Sequence, residues 1–165
     1  LVVVVGTADG LRAAEEILDP ERAAAERPVS FDGRKGRPTV AGLVGDEILL
    51  LDTRDRSWTR LPAPAPLVHV TAVDDGDDHV LALARDGRVL VLRGTDGAVL
   101  AETAPLVAAS VAAGATPTLV ADQQRAYLSG PVEKNLYELD FADDARIART
   151  FDTATEPVFT AGTGR

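Results

Sequence analysis

The residues best suited to chemistry in this chain lie in one short stretch, 74–79, which we call the acidic segment. It holds four aspartates and a histidine within six positions: Asp74, Asp75, Asp77, Asp78 and His79. Carboxylate and imidazole groups are ligands for Zn²⁺, and carboxylates also bind Ca²⁺. The spacing does not match an EF-hand loop, because the closing glutamate is absent. A solvent-facing hairpin turn is the alternative interpretation, since Asp and Gly are frequent turn residues.

The chain has two histidines, and the other one is His69. His69 and His79 fall on predicted neighbouring strands, so we expect that they could approach each other. Two imidazoles complete a tetrahedral zinc site only with further ligands, and the aspartates of the acidic segment are the expected oxygen partners. The alternative for His69 is a half-buried histidine with satisfied hydrogen bonds and no ligand role.

The composition excludes several other kinds of site. The chain has no cysteine, which removes disulfides, thiolate zinc sites, iron–sulfur clusters and a cysteine nucleophile. For Ser110 and Ser129, the sequence shows no His and Asp that could be recognised as the partners of a serine nucleophile. It also contains no G-x-S-x-G elbow, Walker A loop or dinucleotide-binding fingerprint. We therefore expect a protein that is not an enzyme.

A strand–turn–strand pattern that could position these residues occurs three times, at 48–61, 89–102 and 136–149. Leu51, Leu92 and Leu139 occupy the same place in the three copies. Repeats of about 40–50 residues built from short strands are typical of β-propeller blades. The sequence therefore predicts an all-β fold, a partial β-propeller of three to four four-stranded blades.

Period-two alternation bounded by turn residues indicates where the strands lie. Residues 2–5 also form a β-branched run that predicts a strand. Residues 13–27 have helical composition and predict a short helical excursion near the N-terminus, followed by a polar loop at 28–37. In the body of the chain we predict strands at 39–44, 47–52, 68–73, 79–84, 88–93, 98–103, 116–121, 125–129, 135–141 and 146–151.

The length of the chain indicates how many domains it has, and its net charge limits the kinds of partner it can bind. A chain of 165 residues predicts one domain, 1–165. Three blades and a partial one are fewer than propellers typically use, so we expect the C-terminal portion of a larger propeller, which would associate or be marginally stable alone. The net charge of −9 argues against nucleic acid and anionic membrane surfaces as partners. No apolar run is long enough to predict membrane insertion.

Four C-terminal segments stand out: RAYLSGP (125–131), LYELDFAD (136–143), RIARTF (146–151) and TGR (163–165). Together they resemble the C-terminus of AztD-type zinc metallochaperones. The resemblance is strongest over 120–165, and 36–40 (GRPTV) and 89–102 are compatible with the middle of that family. Those proteins are bacterial periplasmic β-propellers that deliver zinc to the solute-binding protein of a zinc ABC transporter. The resemblance thus implies zinc as the bound metal, a solute-binding protein as partner and a periplasmic or extracytoplasmic location.

In that family, zinc capture is associated with a His-rich N-terminal segment. This chain has only two histidines, so no zinc ligand of the family can be matched to a particular residue here. We expect a non-enzymatic protein that binds zinc transiently through His69, His79 and the acidic segment. A metal-free β-propeller interaction scaffold is the alternative. A propeller enzyme, such as a lyase or quinoprotein, would need ionisable groups converging on the central channel, where the predicted inward positions are mostly aliphatic.

Overall fold

The computed structural model describes residues 2–7, 10–16, 28 and 30–161. Within these residues the regular secondary structure consists of β-strands and one short helix. The described residues contain no helix that is long and apolar enough to cross a membrane.

The N-terminal part forms a hairpin of β1 (Val2–Thr7) and β2 (Gly10–Glu16). The strand predicted for 2–5 is confirmed. The helix predicted for 13–27 is wrong over 13–16, which belong to β2, and its remainder lies outside the described residues. Pairing with the β-branched run of β1 outweighs the modest helix propensity of the Ala and Glu residues there.

The body of the chain forms three four-stranded antiparallel sheets, each built from strands in chain order. The first sheet contains β3 (Phe31–Asp32), β4 (Thr39–Val44), β5 (Glu47–Asp52) and β6 (Ser57–Pro62). The second sheet contains β7 (Leu67–Ala72), β8 (His79–Ala84), β9 (Val89–Arg93) and β10 (Val99–Glu102). The third sheet contains β11 (Leu119–Ala121), β12 (Ala126–Gly130), β13 (Asn135–Asp140) and β14 (Arg146–Asp152). Helix α1 (Ala108–Ala112) lies between the second and third sheets in the chain.

The ten strands predicted for the body are all present, and most of their ends differ by one residue or less. The strand predicted at 116–121 is shorter, because it starts at Leu119. The polar loop predicted at 28–37 is partly wrong, because Phe31–Asp32 is the innermost strand of the first sheet. A two-residue strand shows no alternation, so no periodic signal could reveal it.

The three sheets pack face to face, and the second sheet is covered on both sides. All six residues of β8 are buried. Val80 and Ala82 belong to the core between the first and second sheets, whereas Leu81 and Leu83 belong to the core between the second and third. Alternating side chains point to opposite faces of a strand, which is why one strand supplies both cores.

The repeat predicted from the leucine spacing is confirmed by position and burial. Leu51, Leu92 and Leu139 lie on the third strand of successive sheets, and none is more than 1% exposed. Leu92 packs toward the first sheet and Leu139 toward the second, so each faces the sheet that precedes its own.

Candidate functional site

The acidic segment forms the turn between β7 and β8. Asp74 and Asp78 have φ angles of 52° and 55°, in the left-handed region that aspartate enters more readily than most residues. The backbone N–H of Val73 donates to the carbonyl of His79 at 3.0 Å and closes the turn. The side chains of Asp77 and Asp78 lie at its exposed end.

His79 is held by Asp75 at the end of this turn. The Asp75 Oδ2 atom lies 2.6 Å from His79 Nδ1, and Oδ1 accepts the His79 backbone N–H at 3.0 Å. An ionised carboxylate can only accept, so Nδ1 bears the shared proton and Nε2 is the remaining ring nitrogen. Burial alone would raise the pKa of Asp75, but the hydrogen bonds from His79 outweigh it and hold that pKa below 3.8.

The His79 ring is largely shielded from solvent. The residue is 8% exposed, and its ring meets the edge of Phe141 with centroids 5.5 Å apart. No described residue makes a hydrogen bond to Nε2. His79 is therefore a fixed imidazole whose ring faces the third blade, on the same side of β8 as Leu81 and Leu83, and whose Nε2 has no hydrogen-bond partner among the described residues.

His69 has a different carboxylate partner, which the sequence did not indicate. Its Nε2 lies 3.0 Å from Oδ2 of Asp32, a residue of β3 in the first sheet. Asp32 also accepts the backbone N–H of Gly33 through Oδ1, at 2.8 Å. The pair joins the innermost strands of the first and second sheets across 37 positions of sequence.

The expectation that the two histidines could approach each other is wrong. His69 is paired with Leu83, four residues along β8 from His79. At ~3.3 Å per strand residue, that places them roughly 13 Å apart along the sheet. The turn sets this pairing, because His69 pairs in step with Val70, Thr71 and Ala72, which precede the turn. Among the described residues, no group of three His, Asp or Glu side chains is close enough to hold a metal ion.

Asp74 faces the first sheet and joins it to the turn. Its Oδ2 accepts the backbone N–H of Thr39 at 2.9 Å, which is a contact between the first and second sheets. Of the predicted ligands, the structure thus brings Asp75 to His79 directly and turns Asp74 toward the neighbouring sheet.

A cleft of 380 Å³ opens at this end of the first and second sheets, and we call it the acidic cleft. Asp74, Asp78 and His79 line it from the second sheet, and Asp52 lines it from the first. Asp52 was not a predicted site residue. Its Oδ1 accepts the backbone N–H groups of Arg54 and Asp55, so its sequence context indicates only a turn.

No protein-family model matches the chain, and no curated protein matches it either. Several solved structures, in contrast, are similar to the chain. The structure of apo AztD from Citrobacter koseri aligns over 94% of this chain and 42% of that chain, with a TM-score of 0.66 and 12% sequence identity. BamB from Moraxella catarrhalis aligns over 91% of this chain and 48% of that chain, with a TM-score of 0.55 and 19% identity. The WD40 domain of SCAP from fission yeast aligns over 78% of this chain and 34% of that chain, with a TM-score of 0.55 and 10% identity.

The chain has a β-propeller fold. Its three four-stranded sheets are propeller blades, in agreement with the repeat in the sequence. At these identities the likeness concerns the fold, and the chain spans less than half the length of the AztD and BamB structures. The acidic cleft accordingly lies between the first and second blades.

Proposed function

We propose that this protein is a non-enzymatic zinc-handling β-propeller, for which zinc is cargo that is bound transiently and passed on. The proposal rests on the geometry of His79. Asp75 orients the imidazole through Nδ1 and leaves Nε2 without a hydrogen-bond partner among the described residues. A carboxylate that holds the second ring nitrogen is the usual support of a zinc-binding histidine, because it fixes the tautomer and increases ligand basicity.

The further ligands would have to come from outside this group of side chains. Asp78 and Asp52 line the acidic cleft, whereas the His79 ring packs against Phe141 of the third blade, and no three His, Asp or Glu side chains among the described residues lie close enough to hold a metal ion. An imidazole with so few ligands from the chain would bind zinc less tightly than a closed site of Cys and His ligands. Weak and exchangeable binding suits a protein that must release its cargo.

His69 offers a second carboxylate-paired imidazole, through Asp32. Its side chain is 29% exposed, so solvent and a partner protein can reach it. By the resemblance in sequence, the partner would be the solute-binding protein of a zinc ABC transporter and the location periplasmic or extracytoplasmic. The likeness of the fold to AztD supports this assignment.

Calorimetric titration with zinc at neutral pH tests the proposal. We expect His79→Ala to abolish most of the binding heat and His69→Ala to leave the His79 site intact. Asp55→Asn removes one exposed charge near the cleft without removing a lining residue, and it should change nothing. Affinity should fall on acidification, because a zinc-bound imidazole must be deprotonated. Binding that survives loss of both histidines would mean non-specific carboxylate association and would refute the proposal.

A metal-free interaction scaffold is the second candidate, and the outer strands favour it. Val99 and Leu100 on β10, and Ile147 and Phe151 on β14, are 41–44% exposed. Exposed apolar side chains on outer strands are a feature of protein-binding surfaces. A candidate partner whose binding is unchanged by EDTA and by His79→Ala, but is lost in Phe151→Ser, would favour the scaffold.

A further inference from the structure

We propose that the turn formed by residues 34–37 binds a phosphate group, either as free phosphate or as a small phosphomonoester. We call this turn, with the sequence RKGR, the basic turn. It lies between β3 and β4 of the first blade, and the zinc-handling function makes no use of it. Three observations support a phosphate site: a buried donor without a partner, three cations without an ion pair, and the shape of the turn.

The side chain of Arg34 is the first observation. Its Nη1 atom is the one buried side-chain polar atom without a hydrogen-bond partner in the described part of the chain. The backbone of Arg34 is fixed, because its N–H donates to the carbonyl of Ala72 at 2.8 Å. The residue as a whole is only partly buried, so the guanidinium can turn toward a ligand and no hydrogen bond of Nη1 has to break. A buried charged donor without an acceptor is costly, and an oxyanion would supply the acceptor.

The acidic residues beside the basic turn are directed to other partners. Asp32 precedes the turn in sequence, and its carboxylate lies 3.0 Å from the ring of His69. Asp74 lies across the blade junction, and its carboxylate accepts the backbone N–H of Thr39 at 2.9 Å. Neither forms an ion pair with Arg34 within the described residues. The charge of Arg34 is therefore left for a ligand from outside.

The other two cations of the basic turn are the second observation. Lys35 and Arg37 are exposed, and no described carboxylate forms an ion pair with either of them. By contrast, Arg125 of the third blade has the carboxylate of Asp140 at 2.9 Å. The whole chain has a net charge of −9, so three cations without acidic partners within four positions reverse the charge locally. Such a group attracts anions.

The shape of the turn is the third observation, because it brings the cations together. The N–H of Arg37 donates to the carbonyl of Arg34 at 3.1 Å, and this bond closes a β-turn with Lys35 and Gly36 at its centre. Gly36 has a φ of 80°, which the third position of a type II turn requires. The Cα atoms at the two ends of such a turn lie within about 7 Å of each other. The three cationic side chains therefore start close enough to reach one small anion.

This donor set suits a phosphate group better than a carboxylate. A phosphomonoester carries about −1.5 to −2 charges near pH 7 and has three acceptor oxygens, whereas a carboxylate has one charge and two oxygens. Guanidinium groups also bind phosphate through two parallel N–H···O bonds. The net charge of −9 opposes long polyanions such as nucleic acids, so the ligand is a small phosphate compound.

The experiment is an NMR titration of the metal-free, ¹⁵N-labelled protein at neutral pH, with the ionic strength held constant by NaCl. Inorganic phosphate and methyl phosphate are the ligands, and acetate is the matched control. We expect saturable shifts of the Lys35 and Gly36 amides and of the Arg34 Nε–H with both phosphate compounds, and roughly tenfold weaker binding of acetate. Binding of inorganic phosphate but not of methyl phosphate would identify free phosphate as the ligand. Equal affinity for acetate, or shifts that never saturate, would overturn the inference.

A pair of variants localises the binding. Arg34→Gln should weaken phosphate binding roughly tenfold, because it removes the unpartnered donor and its charge. Arg85→Gln removes the same charge from an exposed position in the turn between β8 and β9, and it should leave the affinity unchanged. Equal effects of the two variants would mean a general charge attraction and would refute the site. If Arg34→Gln does not fold, the comparison of phosphate with acetate on the unaltered protein still decides.

Discussion

The carboxylate of Glu133 accepts hydrogen bonds from both the backbone N–H and the hydroxyl of Ser110. Ser110 is a fully buried residue of α1, the helix that connects the second blade to the third. Glu133 lies in the turn between β12 and β13, and the Ser110 hydroxyl in turn accepts the backbone N–H of Val132 at 2.9 Å. The pair fastens the connecting helix to the third blade.

Glu133→Gln should lower the free energy of unfolding by about 1–3 kcal/mol, because it replaces a charged acceptor of two hydrogen bonds by a neutral one. Glu156→Gln, on the exposed C-terminal segment, is the matched control and should change stability by less than about 0.5 kcal/mol. Urea unfolding at pH 7 measures both. Equal stability of the two variants would show that the contact contributes nothing.

The same contact predicts a pH dependence. Burial raises the pKa of Glu133, but the hydrogen bonds from Ser110 outweigh it, so the pKa in the folded protein lies below 4.5. The stabilisation is therefore complete above the unfolded pKa and is lost as the pH falls through the folded pKa. Wild type and Glu133→Gln should differ at pH 7, and the difference should shrink as the pH is lowered below 4.5. A difference that persists at low pH would contradict this assignment.

The blades could be predicted from sequence because short apolar strands recur between turn residues. Leu51, Leu92 and Leu139 recur at blade spacing, and Leu51 and Leu92 lie in continuous apolar runs that are buried on both faces of the sheet. Two elements had no such signal. The strand Phe31–Asp32 is too short to alternate, and residues 13–16 have helical composition but pair with β1.

The candidate site likewise contains contacts between sequence neighbours, which could be predicted, and contacts between distant residues, which could not. Asp75 and His79 are four positions apart, so their meeting at a turn could be predicted from the acidic segment. Asp32 and Asp52 could not be assigned, because each reaches the second blade only when the blades pack. Their own sequence neighbourhoods indicate nothing beyond a loop and a turn.

Leu92→Ala should destabilise the protein by about 2–5 kcal/mol, since it leaves a cavity in the core between the first and second blades. Leu100→Ala is the control, because Leu100 is 42% exposed on the outer strand of the same blade. Its effect should stay within about 0.5 kcal/mol. Chemical unfolding of both variants gives the comparison, and a loss below about 1 kcal/mol for Leu92→Ala would be incompatible with the packing described.

Gly87→Ala tests the junction between β8, β9 and α1. Gly87 has a φ of 90°, and an added Cβ would lie 2.4 Å from the backbone nitrogen of Ala108. Gly114 has a φ of 73° but open space around its Cβ position, so Gly114→Ala isolates the cost of the left-handed backbone, about 1–2 kcal/mol. Gly87→Ala should cost about 1–3 kcal/mol more than that, because the backbone of α1 must move. Similar melting temperatures for the two variants would exclude the close approach.

Asp75 should act on zinc through His79, as a positioning residue. Asp75→Asn removes the charge that orients the imidazole, and loss of such a partner typically weakens metal binding by about 10–100-fold. Asp77→Asn is the matched control, because it removes the same charge from the same turn at an exposed position. Calorimetric zinc titration compares the affinities, and the ¹⁵N shifts of the His79 ring report whether Nδ1 still bears the proton. If both variants weaken binding equally and the ring shifts stay unchanged, Asp75 contributes only long-range charge.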